Sequence, residues 1–270
     1  MCGRLYCFHT SSLFLLLRNN SKHRYNEIMN ADTVARLLSL NRQFYQTFGR
    51  EFSSTRQRLQ PGVQRILDTL SGDESLLDLG CGNGELARER MRRGQCGPYT
   101  GLDFSLPLLE VARHGWEDAP ATFIRADLSA ADWEKRMVTP SHQFFDLVTA
   151  FAVLHHIPGA SLRLGILQKV HDLLRPGGQF IHSEWQFLNS DKLKGRVQQW
   201  QDIGLSDKDV GPGDYLLDWR SGGRGLRYVH HFEEAELGAL AEASRFRVRS
   251  GFLSDGENGQ LGLYQVWEVA

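Results

Sequence analysis

Apolar residues recur at three- and four-residue spacing from Asp32 to Leu70, first at Val34, Leu37 and Leu38, later at Val63, Ile66, Leu67 and Leu70. That spacing predicts helix with one buried face. Pro61 and Gly62 divide the stretch into two helices. The pattern then changes. "SLLDL" is a short apolar run that reads as a buried strand, and after a glycine-rich turn an Arg- and Glu-rich helix runs from about Glu85 to Arg93. The unit recurs as the strand "YTGLDF" and the helix "SLPLLEVARHG", with Ser105 at the N-cap and Pro107 in the first turn. "ATFIRADL" predicts a third strand, and "FFDLVTAFAVL" a fourth that is apolar throughout and so buried on both faces. The helix "ASLRLGILQKVHDLL" stops at "RPGG" before the strand "GQFIHSEW".

Downstream the rhythm breaks. Between Gln186 and Val229 no clear strand is visible, and "SDKDVGPGDYLLDWRSGGRGLRY" is rich in Gly and Asp. It is too long for an ordinary connection, so residues 186–229 are expected to form a lid or binding insertion. "FEEAELGALAEAS" then reads as a helix with acid at its start, and "FRVRSGFLS" and "LGLYQVWEVA" as two strands around the turn-rich "DGENG". Strands alternating with helices predict a doubly wound, mostly parallel, seven-stranded α/β sheet closed by a C-terminal hairpin. Residues 29–270 are expected to be one domain, led by the helices of 29–70.

Composition adds exclusions. A net charge of −1 supplies no overall basic field, so any nucleic-acid contact must come from local Arg and Lys clusters or from a partner. Cys2, Cys7, Cys81 and Cys96 form no C-x-x-C pair and have no His at zinc spacing. Neither a disulfide framework nor a structural metal is implied. Residues 1 to 26 hold Arg4, Arg18, Lys22 and Arg24 with no acid, and their "LFLLL" patch is too short to span a bilayer. This leader reads as an organellar transit peptide or as sequence ahead of a true start at Met29; the second is preferred, with a cytoplasmic location.

The chemistry centres on "LLDLGCGNGEL", Leu76 to Leu86. A dinucleotide fold wants G-x-G-x-x-G, yet Glu85 stands where the third glycine belongs and would repel phosphates. A P-loop is excluded because no Gly-Lys-Ser/Thr follows. The acids point elsewhere. Asp78, Asp103 and Asp127 lie at or near the C-terminal ends of three successive strands, where open α/β sheets bind their ligands. A ligand with a diol, an amino group and a positive charge suits them.

"LLDLGCGNGEL", the acid of "GLDFS", "RADL", "FDLVTAFAVLHHIP" and "LRPGGQFI", in this order, resemble the class I S-adenosylmethionine-dependent methyltransferases. The resemblance implies that Gly80 and Gly82 let the backbone approach the methionine part of the cofactor. Asp103 would bind the ribose hydroxyls, and Asp127 with Leu128 would meet the adenine edge and face. Phe151 would lie near the reactive methyl, and Asp78, Cys81 and Phe104 complete the cofactor set. The adjacent histidines of "VLHHIP" are read as an active-site wall, His155, and a hydrogen-bonded structural residue, His156. On an extended segment they would point to opposite faces, which disfavours a metal.

"FYQTFGREFSSTRQRLQPGVQRIL", "FIHSEW", "GDYLLDW" and "RYVHHF" resemble the methyltransferases that esterify 5-carboxymethyluridine at the wobble position of tRNA. That family implies a tRNA acceptor and commonly a small zinc-binding activator subunit. A carboxylate acceptor is already anionic and needs orientation more than a base. Arg56 and Arg227 are the candidates to orient it, because a guanidinium grips a carboxylate at two points. For Arg56 two other roles stay open, pairing with the cofactor's own carboxylate and a solvated charge. Tyr45, Tyr228 and His230 are read as pocket-shaping or core residues. Arg88, Arg90, Arg92 and Arg93 read as a helix face balanced by Glu85 and Glu89 in preference to a phosphate-binding face. A small-molecule O- or N-methyltransferase and a non-catalytic cofactor-binding subunit are the competing readings.

Overall fold

The computed structural model describes residues 29–54, 58–114, 121–137 and 144–270. Residues 1–28, the leader, and Arg56 lie outside them. Helix α1 (Ala31–Ser54) and helix α2 (Pro61–Leu67) form the N-terminal pair, separated where Pro61 predicts. Two βα units follow, β1 (Leu76–Leu79) with α3 (Glu85–Arg92) and β2 (Tyr99–Asp103) with α4 (Leu106–Arg113), and then β3 (Ala121–Arg125) and β4 (Phe145–Phe151), with a 3-10 turn at Trp133–Arg136 between them. Helix α5 (Ala160–Leu173) runs directly into β5 (Leu174–Trp185). Helix α7 (Glu234–Ala243) precedes the hairpin β9 (Phe246–Ser254) and β10 (Gly262–Val269), with the one-turn α6 (Asp191–Lys194) inside the insertion.

The main sheet has seven strands in the order β3-β2-β1-β4-β5-β10-β9. Strands β1 to β5 are parallel, and β10 runs antiparallel between β5 and β9. All four residues of β1 are buried, since helices cover both faces, which is why its sequence shows no alternation. The order steps outward from β1 in both directions, so the crevice opens above the C-terminal ends of β1, β2 and β4. Phe180, Trp267 and Phe246 pack ring to ring at 5.6–5.9 Å and tie the hairpin to the parallel strands.

Residues 186–229 correct the expectation that this stretch lacks strands. It builds a second, antiparallel sheet of β6 (Val197–Gln198), β7 (Asp214–Trp219) and β8 (Gly225–His230). One face carries Leu216 and Tyr228 against Leu37 and Trp200, and the other carries Leu217 and Val229 against Phe187. With both faces covered, β7 and β8 place apolar residues side by side, and the period-two signature is lost.

Helix α1 fastens this small sheet to the rest. Its buried positions Thr33, Leu37, Asn41, Phe44 and Tyr45 fall on one side, against β8 and α4. At its middle the Asn41 amide donates to the carbonyls of Tyr228 and His156, both at 3.1 Å, and accepts the Tyr228 amide hydrogen at 2.8 Å. The far end of β8 is locked by charge: Tyr228 Oη donates to Asp214 at 2.5 Å, His230 pairs with Asp214 at 2.6 Å and with Glu236 at 3.0 Å. Tyr228 and His230 are therefore core groups of this lock.

Candidate functional site

A cavity of about 470 Å³ opens at the strand ends, between the glycine turn, α1 and the small sheet. Its floor is the turn after β1. Gly80 and Gly82 both take left-handed backbone, at φ 67° and 55°. A Cβ on Gly80 would strike Val153 at 2.6 Å, whereas one on Gly82 would meet nothing within 4 Å among the described residues. Gly80 thus serves protein packing, and Gly82 leaves its backbone open to a ligand.

Asp103 ends β2 with its carboxylate held from below. Gly82 N donates to one oxygen at 2.9 Å and Ser105 N to the other at 2.8 Å. Burial still pushes its pKa up to about 6, against those backbone hydrogen bonds. Asp127, just beyond β3, accepts from Ser129 N and Oγ and from the Arg42 guanidinium at 2.6–2.9 Å. Burial opposes its ionisation, and the Ser129 and Arg42 hydrogen bonds overcome it and hold the carboxyl below its usual range. Phe104, Leu128 and Phe151 supply apolar wall.

Two of the proposed cofactor residues have inward commitments. Asp78 is buried and takes hydrogen bonds from Tyr99 Oη at 2.6 Å and Thr149 Oγ1 at 2.7 Å, and burial raises its pKa to about 6. Cys81 is buried with its sulfur toward Gly101, where a Cβ would come within 2.8 Å of it. Burial, with the nearby carboxylates of Asp103 and Asp78, lifts its thiol well above the ordinary range, so it is not a nucleophile.

The opposite wall carries the histidines. They do not lie on an extended segment as expected. Ala152, in left-handed backbone at φ 58°, turns the chain out of β4 into a 3-10 turn over Leu154–His156. The two rings therefore approach to 4.4 Å instead of diverging. His156 Nδ1 donates to the Tyr228 carbonyl at 3.2 Å, which leaves Nε2 to accept from Tyr45 Oη at 2.8 Å. These bonds tie His156 to β8 and to α1 at the edge of the cavity. His155 is buried against Glu184, with Nδ1 at 3.1 Å from Oε2.

The insertion delivers Arg227. Paired opposite Leu217 on β8, it is buried, and its guanidinium lies 4.8 Å from the Trp185 ring centre, 5.3 Å from Phe44 and 5.6 Å from Trp219. Three aromatic faces favour the cation while keeping water from it. Arg90 of the Arg-rich helix is buried and donates to the Glu74 carbonyl, while Arg88, Arg92 and Arg93 pair with Glu85, Glu89 and Asp68. That is the balanced face expected. Arg42 and Glu184 were missed: a single Arg on a helix and a single Glu in a strand carry no motif, and only the fold brings them to the cavity.

Among the described residues no group of three or more His, Cys, Asp or Glu could hold a metal, and no helix is long and apolar enough to cross a membrane.

The comparisons with known proteins bear on the fold and the family. A family model described as a methyltransferase domain matches residues 51–250. A methyltransferase of Encephalitozoon cuniculi is 30% identical over 207 residues, 76% of this chain and 86% of its own. A tRNA (carboxymethyluridine(34)-5-O)-methyltransferase of Arabidopsis thaliana is 25% identical over 171 residues, 63% of this chain but only 38% of that protein. Ubiquinone biosynthesis O-methyltransferases also match, over about half their length. Among solved structures, a complex of the Haloferax volcanii Trm112 methyltransferase activator with a methyltransferase superposes with a TM-score of 0.60 at 14% identity, covering 84% of this chain and 96% of that one. The chain belongs to the methyltransferase domain family and is an S-adenosylmethionine-dependent methyltransferase.

Proposed function

We propose that the protein esterifies a carboxymethyl group on a tRNA wobble uridine. The observation that carries this reading is Arg227, a buried guanidinium ringed by Trp185, Phe44 and Trp219 at the wall of the cavity. A planar fork in a water-poor aromatic setting suits a carboxylate, and the same rings offer faces for a pyrimidine. The relatives that act on carboxymethyluridine support it, although the chain spans 38% of the Arabidopsis protein.

The residues present fit the cofactor. Gly82 presents backbone to open space, Asp103 places a carboxylate where a ribose diol can donate to it, and Asp127 accepts from an amino group beside Leu128. Phe104 and Phe151 wall the site, and Arg42 holds Asp127 ionised. When bound, S-adenosylmethionine supplies a methyl group on a sulfonium, and transfer to a carboxylate oxygen leaves a neutral ester and a neutral thioether with no proton to remove. The protein's part is orientation and exclusion of water: the small sheet holds Arg227, and the Asn41 and Asp214 locks hold the small sheet. Arg56 is proposed as a second grip on an anion.

With no basic field on this chain, tRNA binding draws on a second subunit, and the activator in the Haloferax volcanii complex is the model for it. The test is transfer of labelled methyl from S-adenosylmethionine into bulk tRNA and, separately, into a small-molecule extract of the same cells. Label in tRNA supports the reading; label only among small molecules discards it.

A further inference from the structure

Helix α1 turns one stripe of side chains to the cavity. Leu38, Asn41, Arg42 and Tyr45 have the i, i+3, i+4, i+7 spacing of a single helix face, and all four line the cavity. Each polar member reaches a different part of the fold. Arg42 Nε donates to Asp127 Oδ2 at 2.9 Å and its Nη2 to Ser129 Oγ at 3.0 Å, both in the loop after β3. Tyr45 Oη meets His156 Nε2 at 2.8 Å on the 3-10 turn after β4. Asn41 holds the Tyr228 backbone on β8 and reaches the His156 carbonyl at 3.1 Å. Nearer the N-terminus, Arg36 Nη1 donates to the Gly204 carbonyl of the insertion at 3.3 Å.

The Arg42–Asp127 pair is a poor stabiliser by its setting. Its side chains are 42% and 35% exposed, where solvent screens the charges and ordering a long arginine side chain offsets much of the gain. What the pair supplies is geometry. The guanidinium spans two residues of one loop, so the Asp127 carboxylate and the helix are fixed relative to each other. Oδ1 of Asp127 already accepts two donors, Ser129 N at 2.9 Å and Ser129 Oγ at 2.6 Å. An amino group on the cofactor's adenine must therefore come to Oδ2, the oxygen that Arg42 holds.

We infer that Arg42 is a positioning residue that couples the two ends of the cavity: a cofactor whose adenine meets Asp127 also braces α1, and α1 in turn holds β8 and its Arg227 in place for the acceptor. This coupling rests on the adenine placement at Asp127 and Leu128 and on no particular acceptor. Both ends share the cavity face of α1. An occupied cofactor site favours the helix in its docked place, and that is the place in which the Asn41 amide matches the Tyr228 backbone. Coupling of this kind is reciprocal, so an acceptor seated against β8 tightens the hold on the cofactor.

The link can be cut without unfolding what it joins. Arg42 is the member of the stripe bonded to Asp127, whereas Asn41 and Tyr45 tie the helix to β8 and to His156. Removing the guanidinium leaves those other bonds in place. The small sheet should then stay folded and lose only its connection to the adenine end.

The test follows backbone hydrogen exchange by mass spectrometry in the full-length protein, with and without saturating S-adenosylhomocysteine, the cofactor after its methyl has left. In the wild-type protein the ligand should slow exchange at the glycine turn, at α1 and across β8, the last by about fivefold or more, the lower end of ordinary coupling between sites. Arg42→Met keeps the apolar stem and loses both bonds. At matched saturation it should keep the protection at the glycine turn and lose most of the gain at β8, with its melting temperature in the absence of ligand within a few degrees of wild type. A wild-type β8 that does not respond to the ligand overturns the inference. So does an Arg42→Met protein whose β8 responds fully, or one that melts far below wild type, since Arg42 would then be a structural tie. Asp127→Ala separates the two readings. Unchanged S-adenosylhomocysteine affinity overturns the adenine placement and the coupling with it, whereas weakened affinity together with a silent wild-type β8 overturns the coupling alone.

Discussion

Asn41 and Tyr228 meet as two strands of a sheet do, with a side-chain amide taking the place of one strand. The Asn41 oxygen accepts the Tyr228 amide hydrogen at 2.8 Å, and its nitrogen donates to the Tyr228 carbonyl at 3.1 Å. One residue of the N-terminal helix thereby holds the strand that carries Arg227.

Replacing Asn41 with Leu takes the partner from the Tyr228 amide hydrogen and the His156 carbonyl, and leaves the Tyr228 carbonyl to His156 Nδ1. The expected loss of stability is about 2–4 kcal/mol, read as a lowered midpoint in urea. Turnover should suffer more than cofactor affinity, because the displaced element is the small sheet.

Gly82→Ala and Gly80→Ala separate ligand approach from packing. Alanine at Gly82 meets no described neighbour, so it should cost only about 1–2 kcal/mol of backbone strain while sharply weakening S-adenosylmethionine binding in calorimetry. Alanine at Gly80 would strike Val153 at 2.6 Å and should lower the melting temperature as well. Cofactor affinity unchanged in Gly82→Ala would remove the turn from the site.

Cofactor affinity should depend on pH through Asp103. Its pKa is raised to about 6, and a ribose diol needs the ionised form as acceptor. The sign follows: above pH 6 the carboxylate is ready and affinity is level, and below pH 6 the ionised fraction falls about tenfold per unit, carrying affinity down with it. Asp103→Asn should bind more weakly and lose that slope. An unchanged slope in Asp103→Asn would assign the titration to another group.

Much of this site is legible in the chain before it folds. The glycine turn and the acids ending β2 and near the end of β3 are local in sequence, and each sits at the boundary of a strand that pattern alone locates. Arg227 was found only through a short resemblance, because its strand lies in a segment whose Gly and Asp content masks β7 and β8. Arg42 and Glu184 had no signal at all. Their places at the cavity come from tertiary contact, with Asp127 in one case and His155 in the other. The histidine pair was misplaced in geometry because the left-handed turn at Ala152, a non-glycine residue, leaves no mark in the sequence.

Arg227→Lys keeps the charge and loses the two-point fork. Acceptor KM should rise and kcat/KM should fall by roughly tenfold to a hundredfold, with S-adenosylmethionine affinity unchanged within about twofold. Equal losses in both would place Arg227 at the cofactor instead.

The central claim is that the methyl group ends on a carboxylate oxygen, and the most direct measurement is the stability of the product. After transfer of labelled methyl into tRNA, brief mild alkali should release the label as volatile methanol, since an ester hydrolyses under those conditions. Label that survives the alkali in the RNA, as an ether, amine or ring-methyl product would, contradicts the account.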